Sequence, residues 1–184
     1  QKTELRLITV ASGKSRHLDW LPDGPKDTVA WSPDGKWLAW SGREGTDGTY
    51  GTENLELWIC QPSVRGSARC LSNNTDYCLM AATLGDTAEV GFEASLQWTR
   101  DSKALLVRIG WHGAQQIMRF QRRGGQPDAL TSQRRIHDPG NQSNDGSKFV
   151  MMIESPTAPP DLYIMDPRPG QDHTPKCLTH CTRD

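Results

Sequence analysis

Ala30-Trp31-Ser32-Pro33-Asp34-Gly35-Lys36-Trp37-Leu38-Ala39-Trp40 is the stretch that decides the fold. It reads as a strand, a tight turn and a second strand. Pro33 presets φ, Asp34 bonds back to its own backbone, and Gly35 accepts a positive φ. The pattern returns in weaker form as Gln97-Trp98-Thr99-Arg100-Asp101-Ser102-Lys103-Ala104-Leu105-Leu106. It returns again as Gln142-Ser143-Asn144-Asp145-Gly146-Ser147-Lys148-Phe149-Val150-Met151. At Asp101-Ser102 the glycine is missing, so that turn is less well specified. A recurring supersecondary unit means a repeat architecture.

Each copy is followed by two more strand-like pieces joined by a turn: 55–60 and 68–72, then 116–120 and 128–131, then 161–166 and 176–179. The N-terminus supplies only this second half, at 5–10 and 15–18 around Ser12-Gly13-Lys14. The expected organisation is a half unit at 1–21 and full units at 22–73, 95–132 and 133–184, with a long connection at 74–94. The strands of a unit are A to D in chain order. The B strands are apolar at consecutive positions, as in Leu105-Leu106-Val107 and Phe149-Val150-Met151-Met152-Ile153. Both faces of such a sheet must be covered. A sandwich leaves one face polar, whereas antiparallel sheets stacked round an axis cover both. The reading is therefore all-β: a β-propeller of four-stranded antiparallel blades, about three and a half of them, an incomplete ring. An unclosed stack exposes apolar faces at its two ends.

Composition narrows the functional classes. The 184 residues carry a net charge of −1 with no basic stripe, which argues against nucleic acid as a partner. No apolar run approaches the roughly 18 residues of a membrane span. Seven Trp fall mostly at strand positions, as expected of large side chains wedged between sheets.

Chemistry-bearing patterns are sparse. Gly-x-Ser-x-Gly does not occur. Ser12-Gly13-Lys14-Ser15 looks like the end of a phosphate loop but lacks the upstream glycine and falls in a C–D turn. The five His are scattered, with no Ser or Cys partner at motif spacing. Asp86 and Glu89 read as a solvated loop. His173, Cys177, His180 and Cys181 invite a metal reading, but the repeat assigns Cys177 to a strand, so no metal site is expected. Cys60 and Cys70 lie in consecutive strands and are open either to facing one another or to serving as small buried residues. Asn73-Asn74-Thr75 and Asn141-Gln142-Ser143 match the glycosylation sequon, which matters only in a secretory protein. Neither a catalytic residue nor a cofactor is expected.

The Trp-Ser-Pro-Asp-Gly-Lys-x-Leu-Ala stretch, followed by an aliphatic strand and later by Leu-Thr, resembles the PD40 (TolB-like, WD40-like) propeller repeat. Two families use it: TolB-type proteins, and the N-terminal propellers of prolyl oligopeptidase (S9) family serine peptidases. Ser155-Pro156-Thr157-Ala158-Pro159-Pro160-Asp161-Leu162-Tyr163 resembles the last blade of acylaminoacyl- and glutamyl-peptidase-type members. The long departures at 43–53 and 73–94 also suit the peptidases. The resemblance implies a non-catalytic propeller that gates peptide access to a downstream α/β-hydrolase domain. The alternative it implies is a TolB-like scaffold for protein–protein binding.

Topology adds one expectation. Successive strands of a blade run antiparallel, so A–B and C–D turns share one face and B–C and D–A connections share the other. The elaborated segments 43–53 and 73–90 fall on the second face, with the smaller loops 110–113, 155–160 and 133–137. Long loops in compact domains are usually functional. Tyr50, Trp111, His112, Arg134 and Arg135 are thus the candidates to face a peptide substrate or partner domain.

Overall fold

A computed structural model describes residues 3–45, 53–80 and 93–181. All the regular elements in it are strands. The first sheet pairs β1 (Arg6–Ile8) with β2 (Ser15–His17). The second is a four-stranded antiparallel meander of β3 (Lys26–Trp31), β4 (Leu38–Gly42), β5 (Glu56–Cys60) and β6 (Arg69–Cys70). A third meander holds β7 (Leu96–Trp98), β8 (Ala104–Trp111), β9 (Ala114–Gln121) and β10 (Asp128–Ala129). A fourth holds β11 (Ile136–Gln142), β12 (Phe149–Ser155), β13 (Ala158–Met165) and β14 (Lys176–Cys177). The third and fourth sheets touch through one parallel bridge, Ile136 to Gln115, which strings them into a formal eight-stranded path.

The repeat has a conserved internal chemistry across its three copies. In each A–B corner a hydroxyl accepts a backbone N–H across the turn and donates to the Asp carboxylate. Ser32 Oγ takes the Trp37 N–H at 2.9 Å and donates to Asp34 at 2.5 Å. Thr99 does the same with Ala104 and Asp101, and Ser143 with Lys148 and Asp145. The fourth residue of each turn has positive φ: 66° at Gly35, 71° at Gly146 and 58° at Ser102. Ser102 thus adopts the geometry that glycine supplies elsewhere. Its Oγ accepts the Asp34 N–H of the preceding sheet at 3.1 Å, which gives the side chain a purpose glycine lacks. The D strands repeat a second device. Hydroxyls of Ser72, Thr131 and Thr179, each following a Leu, accept the N–H of Leu57, Ile117 and Leu162, each at 2.9 Å.

Strand alternation explains why the B strands are continuously apolar. Along β8, Leu105, Val107 and Ile109 face the second sheet, packing with Ala39, Leu57 and Ile59. Leu106 between them faces the fourth sheet and meets Phe149, Met151 and Ile153. Both sets are at most 5% exposed. The first sheet lays Leu5, Leu7 and Leu18 on the other side of the second, against Leu38, Trp40 and Cys60. Trp98 pins the second and third sheets together, its Nε1–H donating to the Ala30 carbonyl at 3.1 Å.

Apolar surface stays open where the two-stranded first sheet leaves part of the second uncovered, and at the far end of the stack. Val29 and Trp31 sit opposite Trp40 and Leu38 on the same face but are 48% and 50% exposed. At the far end Met152 and Leu162 pair across β12 and β13 and are each 42% exposed.

Some expectations are corrected. Loop 110–113 shrinks to a tight turn, because β8 runs to Trp111 and β9 starts at Ala114. Positive φ at His112 (49°) and Gly113 (75°) gives the hairpin twist that makes this possible. Loop 155–160 likewise contracts, with Ser155 pairing Ala158. Ile136 and His137 belong to β11 rather than to a connection. Cys60 and Cys70 do not face one another, since Cys60 pairs with Leu38 and Cys70 with Trp58. Both are free thiols. Burial pushes the Cys60 thiol up to about 12 and, as the largest cause, the Cys70 thiol up to about 11.

Candidate functional site

The B–C and D–A connections emerge together, as antiparallel meanders require. On this face the two elaborated segments meet through their described ends. Asn54 Nδ2, at the end of segment 43–53, donates to Asp76 of the segment that follows β6, at 3.0 Å. Arg43, only 5% exposed, reaches back across its own loop and donates to the Glu53 carbonyl at 2.9 Å. The segment after β6 is then tied to the third sheet, where the Gly110 N–H donates to the Cys78 carbonyl at 2.9 Å.

This tie places Tyr77 edge-on to Trp111, with ring centroids 5.0 Å apart and planes at 86°. Trp111 in turn meets the His112 ring at 4.4 Å. Tyr77 also touches Phe120, which anchors the aromatic group in the core. Such edge-to-face contacts favour a fixed rather than a fluctuating arrangement. Arg134 and Arg135 lie beside the same hairpin, because the Gln115 N–H donates to the Arg135 carbonyl at 3.2 Å. The backbone therefore brings Trp111, His112, Arg134 and Arg135 to one neighbourhood. Tyr50 lies outside the described residues.

Sequence reasoning missed Tyr77 and the cleft beside it. A cavity of about 600 Å³ is lined by Arg43, Glu44, Glu53, Asn54, Glu56, Trp58, Asp76 and Tyr77, among others. Four carboxylates there outweigh one guanidinium, so the cleft carries a negative potential that favours cationic groups. Nothing in the strand pattern marks Tyr77, since it belongs to an irregular segment whose position depends on the Cys78–Gly110 bridge.

Two of the histidines, His137 and His173, are held by backbone carbonyls. His137 is 1% exposed and its Nδ1–H donates to the Gln115 carbonyl at 2.8 Å. Burial lowers its pKa, opposed in part by that hydrogen bond. His173 is bound to the Asp166 carbonyl at 2.8 Å. Among the described residues, no three His, Cys, Asp or Glu side chains are grouped to hold a metal ion.

No protein-family model matches the chain, and no curated protein matches it. Solved structures do. TolB from Acinetobacter baumannii superposes with a TM-score of 0.62 at 20% identity, over 96% of this chain and 37% of that one. A chain from a structural and mechanistic study of two prolyl endopeptidases gives 0.65 at 18% identity, over 97% and 26%. The β-propeller domain of the Trilobed protease from Pyrococcus furiosus gives 0.60 at 14%, over 96% and 43%.

The fold is a β-propeller. The four sheets are its blades, stacked in chain order, and the chain spans between about a quarter and under a half of these three structures' lengths. In a propeller the two faces are chemically distinct. Here one carries the A–B and C–D turns, and the other carries the described ends of the elaborated segments, the aromatic group and the acidic cleft. No helix among the described residues is long and apolar enough to cross a membrane.

Proposed function

We propose that this chain is the non-catalytic propeller segment of a prolyl oligopeptidase family serine peptidase. In this reading it gates peptide access to an α/β-hydrolase domain that supplies the chemistry. Residues 22–73, 95–132 and 133–184 are its repeating blades, preceded by half a blade at 1–21. The observation that carries the reading is the convergence of both elaborated segments on one face, tied by Asn54 and Asp76. Likeness to propellers of a prolyl endopeptidase and of the Trilobed protease supports it. The acidic cleft and the Tyr77–Trp111–His112 group suit a peptide whose end or side chain is positively charged. Trp111, His112, Arg134, Arg135 and Tyr50 are the side chains proposed to meet peptide or hydrolase domain.

A TolB-like scaffold for protein–protein binding is the second reading, favoured by the equally good fit to TolB. In the full-length protein, short turns replace 43–53 and 73–94, and cleavage of a short peptide and of a folded protein is followed. The gating reading expects altered selectivity between the two. Unchanged cleavage of both refutes it. A coding sequence after Asp184 that holds further propeller repeats and no Gly-x-Ser-x-Gly supports the scaffold instead.

A further inference from the structure

The D strand of the fourth blade runs into Cys177-Leu178-Thr179-His180-Cys181. The matching stretch of the second blade is Cys70-Leu71-Ser72-Asn73-Asn74. Only the fourth blade follows its D-strand cysteine with a histidine three residues on and a second cysteine four residues on. Cys177 is half-buried, Cys181 is exposed, and both are free thiols.

Asp161 bends this segment. The Cys181 N–H and the Thr179 hydroxyl both donate to its Oδ1, at 3.0 and 2.7 Å. Those two bonds hold the Asp161 carboxyl below the usual carboxylate range, so it is ionised and grips the segment at neutral pH. The Cys177 sulfur lies on the same bend. Its thiol donates to the Thr179 carbonyl at 2.8 Å, and Sγ is 3.8 Å from His180 Nδ1. The sulfur thus touches the two residues directly before Cys181. A disulfide needs Cα atoms about 4.4–6.8 Å apart. A bent five-residue segment meets that span, whereas an extended one covers about 13 Å.

We propose that Cys177 and Cys181 form a redox couple, oxidised to an intrachain disulfide by a small-molecule disulfide and reduced again by the corresponding thiol. His180 Nδ1 takes the Cys177 proton, and the thiolate attacks one sulfur of the small disulfide. The S–S bond of the reagent breaks, a mixed disulfide forms on Cys177, and the departing thiolate recovers the proton. Cys181, its proton lost to water, then attacks the Cys177 sulfur and expels the second small thiol. Two protein thiols and one small disulfide become one protein disulfide and two small thiols. Cys60 and Cys70, their thiols pushed up to about 12 and about 11, stay reduced. The closed ring fastens the end of β14, where the Thr179 hydroxyl accepts the Leu162 N–H.

The test incubates the reduced full-length protein with oxidised glutathione, quenches it in acid and digests it with trypsin without reductant. Cleavage after Lys176 and Arg183 releases one peptide that holds both cysteines. The expected result is that this peptide becomes lighter by two hydrogen atoms before any glutathione adduct forms at Cys60 or Cys70. A peptide that stays reduced, or that stops at a stable glutathione adduct, refutes the couple. Cys181→Ser should accumulate that adduct on Cys177, and its absence overturns the order of attack. His180→Asn, which installs the residue of the second blade, should slow the first step by about tenfold. An unchanged rate removes His180 as the proton acceptor. Hydrogen exchange at the Leu162 amide should be slower in the oxidised protein than in the reduced one, and equal exchange shows that the ring does not fasten β14.

Discussion

Ser102 holds a left-handed backbone that its two repeat counterparts, Gly35 and Gly146, hold without a side chain. Two opposed terms follow. An L-residue in this region costs about 1 kcal/mol relative to glycine. Against this, the Ser102 hydroxyl, on a residue 2% exposed, accepts the Asp34 N–H of the neighbouring blade at 3.1 Å. A neutral hydrogen bond of this kind contributes about 1 kcal/mol. Ser102→Gly removes the strain and the bond together, so its net effect should lie within about 0.5 kcal/mol of zero, from the difference of those two terms. Ser102→Ala keeps the strain and loses the bond, so it should cost about 1 kcal/mol or slightly more. Urea unfolding followed by Trp fluorescence reads the order: parent and Gly variant together, Ala variant clearly lower at unchanged slope. If the Gly variant falls as far as the Ala variant, the strain term is wrong. If the Ala variant matches the parent, the inter-blade bond contributes nothing and the corner is held by Thr99 and Asp101 alone.

Two other positions carry distinct expectations. Trp98→Phe should cost about 2 kcal/mol, from the lost bond to the Ala30 carbonyl and the space left between blades, and Trp98→Ala about 4 kcal/mol. Differential scanning calorimetry should show both as lowered melting temperatures in that order, and losses under 1 kcal/mol for the Ala variant would mean that the blades do not interlock through this ring. His137 gives a pH dependence. Its folded pKa lies below the unfolded value near 6.5, so the unfolded chain binds the extra proton first as pH falls. Stability from this site is present above about pH 6.5 and is lost as pH drops from there towards the folded pKa. His137→Gln should flatten the change in urea midpoint between pH 7.5 and pH 5.5, and an unchanged profile would show that the ring is not kept neutral by burial.

The turns and strands were legible because their causes are local. Ser-x-Asp-Gly corners carry their own hydrogen bonds, and a Leu followed by Ser or Thr supplies the hydroxyl that ends each blade. The doubly apolar run Leu105-Leu106-Val107 announced a sheet covered on both sides. It did not say which neighbour covers which side; strand alternation assigns Leu105 to the second blade and Leu106 to the fourth. The same limit explains the corrections. His112 tolerates positive φ well enough to close a tight hairpin, which a Gly-Trp-His-Gly string does not disclose. Cys60 and Cys70 are close in sequence but are offset by the register of β5 and β6.

The amino-acid order by itself determined the repeat, the all-β class and the face on which the long segments emerge, since each follows from short-range turn chemistry and a two-residue period. Only the tertiary structure decided that Tyr77 meets Trp111 and that Asp76 receives Asn54. Those contacts join residues far apart in the chain. Their existence depends on how stacked sheets are rotated and spaced, which local propensity does not encode.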